Sequence, residues 1–164
     1  MMRSAVVLLA AVSLFLGANL SLACNCGGQG NGVAPVAESV HGDVQEHENC
    51  FHCGMDREKF SRSRMLVSYA DGTSVGTCSI HCLVTERSSS KEKTIKKVEV
   101  GDYDSRLLID AEKAFWVIGG DQRGVMTKTP KWAFAKKNAA EAFIRKHGGS
   151  LASYKDALAL AEKE

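Results

Sequence analysis

A chain of 164 residues has the length of one ordinary domain or of two very small ones. Apolar residues make up 45% and charged residues 24%, the balance of a chain that can bury a core. The 21 basic and 19 acidic residues nearly cancel and lie interspersed, without a basic stripe interleaved with aromatics, which argues against nucleic acid as a partner.

Arg3 opens the chain with a positive charge, and Ala5 to Leu16 forms an almost unbroken apolar run. This pattern over residues 1–23 predicts a secretory signal, too short for the roughly 20 residues of a spanning helix. Ser21-Leu22-Ala23 suits ordinary cleavage after Ala23, whereas Cys24 directly afterwards suits a lipobox and acylation of that cysteine. The glycine-rich stretch Asn25 to Gly32 is the flexible tether that a lipid-anchored domain needs, and it argues for lipid attachment at Cys24. The tether is expected to run over residues 24–49, with His41 and His47 as solvent-exposed linker residues. No later run is long and apolar enough to span a bilayer. The expected location is therefore the cell envelope, most simply the periplasm, with membrane contact through the lipid.

Two similar patterns follow. In residues 50–103, Met65, Val67 and Tyr69 alternate along a strand, and Asp71-Gly72 marks a hairpin with Thr73–Thr77 as the returning strand. Cys78–Ser88 reads as a helix with Ile80, Leu83 and Val84 on one stripe, and Lys93–Val100 as a third strand. Lys91, Lys93, Lys96 and Lys97 are interrupted by Glu92 and read as a solvated rim. In residues 104–164, Phe115–Ile118 reads as a strand, Gly119 to Gly124 as its turn, and Val125–Thr129 as the returning strand stopped by Pro130. A helix is expected from Asn138, where Asn138-x-x-Glu141 resembles a capping box, to Gly148-Gly149. A short strand, Leu151–Ser153, and a helix, Tyr154–Lys163, complete the chain. The expected fold is α+β: two small β-β-α-β units in tandem with a C-terminal helix, preceded by signal peptide and linker.

Six cysteines in an exported chain first suggest disulfides. The spacing favours something else. Cys50-x-x-Cys53 and Cys78-x-x-x-Cys82 would close tiny loops as disulfides, removing little chain entropy. As metal ligands the same pairs each supply two thiolates from one turn. His81 falls near Cys78 and Cys82 on the same helical face and is a secondary candidate, with Met55 and Met126. Four thiolates suit Zn(II) or Cu(I), and thioether donors tilt the choice toward Cu(I). Cys50-Phe-His-Cys53 lacks the following histidine of a c-type haem site, and no phosphate loop, dinucleotide fingerprint or nucleophile elbow appears. Nothing in the chain points to an enzyme. A structural Zn(II)-thiolate interaction module and a thiol–disulfide protein stay open as alternatives.

At these residues the chain resembles the NosL family, copper-binding lipoproteins that accompany nitrous oxide reductase. The resemblance rests on Cys50-Phe-His-Cys53-Gly-Met55 with Phe60, Tyr69-Ala-Asp-Gly72, Cys78-Ser-Ile-His-Cys82, Ala114-Phe-Trp-Val-Ile-Gly-Gly120 and Gly124-Val-Met126. It continues through Ala133-Phe134, Ala140-Glu-Ala-Phe143 and Gly148-Gly149. The first unit is also similar to heavy-metal trafficking modules. The resemblance implies a periplasmic or membrane-anchored Cu(I) carrier delivering copper to a client enzyme such as nitrous oxide reductase, and repeated β-β-α-β units. Where many relatives carry Met-x-His, this chain has Met126-Thr-Lys128, which shifts the expected site to Cys50, Cys53, Cys78 and Cys82.

Overall fold

The structure is a computed structural model and describes residues 41–164. The expected signal peptide, the lipid-attachment cysteine Cys24 and most of the expected tether lie outside the described residues.

Alternation at the strand period builds the first sheet. In β1 (Met65–Tyr69), Met65, Val67 and Tyr69 are buried and the intervening Leu66 and Ser68 are half-buried. The Asp71-Gly72 turn, with Gly72 at φ +88°, returns the chain into β2 (Ser74–Thr77), paired antiparallel with β1. Helix α2 (Ile80–Ser89) carries Ile80 and Leu83 into the core and delivers the chain to β3 (Ile95–Gly101) on the other side of β1. The second sheet repeats this plan. Central β5 (Phe115–Ile118) pairs with β6 (Lys131–Phe134) and, after helix α3 (Lys137–His147), with β7 (Ser150–Ala152). Helix α4 (Tyr154–Ala161) closes the fold. The strand orders β2-β1-β3 and β6-β5-β7 correspond element for element, and every one of these strand pairs is antiparallel.

One core joins the two sheets: Met65, Val67 and Tyr69 cluster with Trp116, Ala133, Leu83 and with Ala157 and Ala161 of α4. Across the second sheet, Val117, Trp132 and Phe134 meet Ala140 and Phe143 of α3 in a separate aromatic cluster with Tyr103. Strand β6 is therefore buried on both faces.

Several expectations need correction. The tether does not extend to residue 49, because residues 42–46 form a short helix, α1 (Gly42–Glu46), with Val44 buried. Its Asp43 is the counter-charge for two buried guanidiniums, Arg57 and Arg64, at 2.8 Å each. Nor is His47 free in solvent: its Nε2 lies 2.7 Å from Ser74 Oγ. In the second unit, Val125–Thr129 is a loop, and the strand begins only after Pro130, whose carbonyl accepts from Gly119 N at 2.9 Å. That position needs no ladder N–H, so the proline starts the strand instead of ending one. The loop is held by Lys131 and Glu164, whose side chains meet at 2.9 Å, both largely buried. The Asn138 capping box does not form; the box is at Ser153 and Asp156, at the start of α4. Helix α2 starts at Ile80, two residues after Cys78. Finally, an additional strand, β4 (Leu108–Asp110), extends the first sheet beyond residue 103.

Candidate metal centre

Cys50 and Cys53 sit on a tight knuckle. Gly54 N donates to Cys50 O at 2.9 Å, and Cys50 N donates to Met55 O at 2.8 Å. Such a reversal needs a residue in the left-handed region, and Gly54 supplies it at φ +73°. Phe51 N donates to Gly76 O at 3.0 Å, so the knuckle is tied to β2 directly before the second cysteine pair. Cys78 occupies the turn between β2 and α2, and Cys82 the first turn of α2. Ser63 Oγ donates to the Cys78 carbonyl at 2.8 Å, fixing that turn.

The result is convergence. The sulfurs of Cys50, Cys53, Cys78 and Cys82 all lie within 4.8 Å of one another. Cys78 Sγ is 3.5 Å from Cys53 Sγ and 3.8 Å from Cys82 Sγ. These cysteines are free thiols, well beyond the roughly 2.05 Å of a disulfide. A tetrahedral ion with about 2.3 Å bonds to sulfur needs sulfur–sulfur edges of about 3.8 Å, so the donor set fits a soft metal ion. Met55, Phe60 and Val125, partly buried themselves, pack around the cysteines.

The sulfurs differ in acidity. Cys78 is drawn down to about 5, chiefly because the Cys82 thiol points at its sulfur, with Cys53, Ser79 and Cys50 adding to the effect and burial opposing it. Cys82 moves up as the donor of that contact, and burial adds to the rise. Burial, with the neighbouring sulfurs, pushes Cys53 up to about 11. Among Cys53, Cys78 and Cys82, it is Cys78 that ionises most readily.

Two further groups, Arg57 and the His52–Glu86 pair, hold the cysteine pairs together. Arg57 is fully buried and uses all five of its N–H donors. It donates to Thr77 O (3.2 Å), beside Cys78, to Met65 O (3.0 Å), and to Asp43 and His47 in the α1 segment. It crosses β2 where residue 76 has no side chain: a Cβ on Gly76 would stand 2.6 Å from Arg57 Cζ. His52, between the knuckle cysteines, places Nε2 2.7 Å from Oε2 of buried Glu86 on α2. Glu86 also accepts from Tyr69 Oη and from Ser90 Oγ, the latter at 2.8 Å. Burial works against its ionisation, yet these donors outweigh it and hold its carboxyl below the ordinary value. Glu86 is detectable in principle, as an acid three residues after Leu83 on the buried stripe of α2. Nothing local in the sequence marks Arg57 as buried.

The secondary candidates separate. Met55 packs on the cysteines. His81 does not join the four sulfurs; it lines an open cleft with Met126, Thr127, Lys128 and Glu164. Met126 is exposed and has φ +54°, unusual for a side chain of its size. Its neighbour Val125 packs on the cysteine cluster, so the cleft adjoins the thiol site.

The structure is thus an α+β scaffold with two antiparallel sheets whose four converging cysteines could hold a soft metal ion. The family model for NosL matches residues 41–159, and the chain belongs to that family. Among solved structures it is similar to the crystal structure of the copper chaperone NosL from Shewanella denitrificans. Identity is 26%, with a TM-score of 0.51 and coverage of 66% of this chain and 87% of that one. No curated protein matches. The relative in that structure is a chaperone, in keeping with the non-enzymatic character expected from the sequence.

Proposed function

We propose that this protein is a non-catalytic Cu(I) carrier of the cell envelope that delivers copper to a client enzyme such as nitrous oxide reductase. One observation carries the reading: four cysteine sulfurs within 4.8 Å of one another in a chain of the NosL family. Thiolates are soft donors that suit both Cu(I) and Zn(II), and the similar solved structure, that of a copper chaperone, turns the choice to Cu(I). Cys50, Cys53, Cys78 and Cys82 are the ligands and Met55 a secondary donor beside them, while His81 and Met126 are secondary donors in the adjoining cleft. The apolar start of the chain and the Ala23-Cys24 junction support export to the periplasm and lipid anchoring at Cys24.

A second reading, a structural Zn(II) module, draws on the sulfur spacing, which also suits a zinc tetrahedron. Anaerobic purification, metal analysis and Cu(I) competition against a chromophoric chelator separate the two. The carrier reading expects one tightly held Cu(I) that displaces any zinc. Stoichiometric Zn(II) that Cu(I) cannot displace would establish the structural module.

A further inference from the structure

The four sulfurs are not equivalent in their access to solvent. Cys50, Cys78 and Cys82 are 3%, 0% and 2% exposed, whereas Cys53 is exposed. Cys78 and Cys82 are rooted where β2 passes into α2, and Cys50 is pinned by its backbone bond to Met55. Moving any of these three out of the cluster would open a void among Met55, Phe60 and Val125. Cys53 stands at the tip of the knuckle instead. A Cβ added to the next residue, Gly54, would meet nothing within 4 Å, so the space beside the tip is open. Phe51, two residues earlier, is 73% exposed.

We propose that Cys53 is the exchange ligand of the site: the sulfur that binds an incoming ion last and releases it first. This role rests on the carrier reading. The three buried sulfurs form the seat, and an acceptor protein presenting a thiol reaches the ion along the Cys53 edge. In the step, the acceptor sulfur bonds to the metal as the metal–Cys53 bond breaks. The acceptor's proton passes to the departing Cys53 thiolate, and the metal keeps its oxidation state. Cys53 can leave by rotation into solvent without opening a void in the cluster.

The test uses the purified, anaerobic protein loaded with one Cu(I), mixed with bicinchoninate in a stopped-flow instrument. Cys53→Ser should still hold one Cu(I) but release it about tenfold faster or more, because the first bond to break is already absent; tenfold corresponds to about 1.4 kcal/mol of barrier. Cys50→Ser and Cys82→Ser should instead lose affinity by a larger factor than Cys53→Ser. In loaded wild-type protein, limiting iodoacetamide should label Cys53 before the other three, and this order decides the matter should a variant not fold. A Cys53→Ser protein releasing Cu(I) at the wild-type rate, or first labelling at a buried cysteine, overturns the role of Cys53 and leaves the carrier reading standing. Wild-type protein that takes up no Cu(I) overturns both.

Discussion

Removing the guanidinium of Arg57 takes the donor from four backbone carbonyls and from the Asp43 carboxylate at once. Arg57→Ala should therefore destabilise the protein by about 3–5 kcal/mol, the range for breaking a buried charge pair, as read from urea unfolding. Arg57→Lys keeps the charge but loses the planar fork and should recover only part of that stability. Because Arg57 fixes the Thr77 carbonyl next to Cys78, the Lys variant should also bind Cu(I) about 10–100-fold more weakly, measured by chelator competition without denaturant. At Cys78 itself the prediction concerns charge. With its thiol drawn down to about 5, the reduced, metal-free protein should gain thiolate absorbance near 240 nm as pH rises through about 5. The ordinary thiol value is 9.0, and the low-pH gain should be lost in Cys78→Ser.

At the scale of elements, the strands are largely legible in the sequence and the connections are not. Met65, Val67 and Tyr69 follow from alternation because a sheet imposes its period on the sequence, and Phe115–Ile118 from a short unbroken apolar run. The cysteine pairing is legible for a similar reason, since local spacing dictates which sulfurs share a turn. The Val125–Thr129 segment reads as a strand but forms a loop, because its conformation comes from Lys131 and Glu164, the latter distant in sequence. Helix α1 is hidden because its order comes from Arg57 and Arg64, not from any apolar stripe of its own. Long-range polar contacts leave no local period. Two glycines separate conformation from space in a testable way. Gly101, in β3, approaches the chain after the knuckle so closely that an added Cβ would stand 2.1 Å from Ser61 O. Gly101→Ala must push backbone apart and should cost about 1–3 kcal/mol or more. Gly54→Ala meets no atom and bears only the left-handed backbone penalty, about 1–2 kcal/mol. Chemical denaturation of both variants should rank Gly101→Ala as the more damaging. Only Gly54→Ala should also change the Cu(I) exchange rate, since it alone alters the knuckle.

For the whole molecule, the cysteines stand apart from what holds the fold together. Among the described residues, the core that joins the two sheets contains no cysteine, and neither does the aromatic cluster under α3; Cys50, Cys78 and Cys82 form a third cluster of their own. Trp116, Tyr69, Phe134 and Leu83 are almost completely buried in clusters that contain no sulfur ligand, and Phe134 and Leu83 are each worth about 1.5–3 kcal/mol relative to exposure. A small zinc module behaves differently, because there the metal supplies most of the folding free energy and chelation unfolds the chain. The reduced, metal-free protein is therefore expected to keep its far-ultraviolet circular dichroism and to melt in one cooperative transition. Loading should add stability by mass action alone, about 4 kcal/mol when free metal exceeds the dissociation constant a thousandfold. The same measurement on Cys78→Ser should show a folded protein whose stability no longer responds to metal. A chain that bears its cargo in this way can release it without unfolding, which a carrier needs on every cycle and a structural site never does.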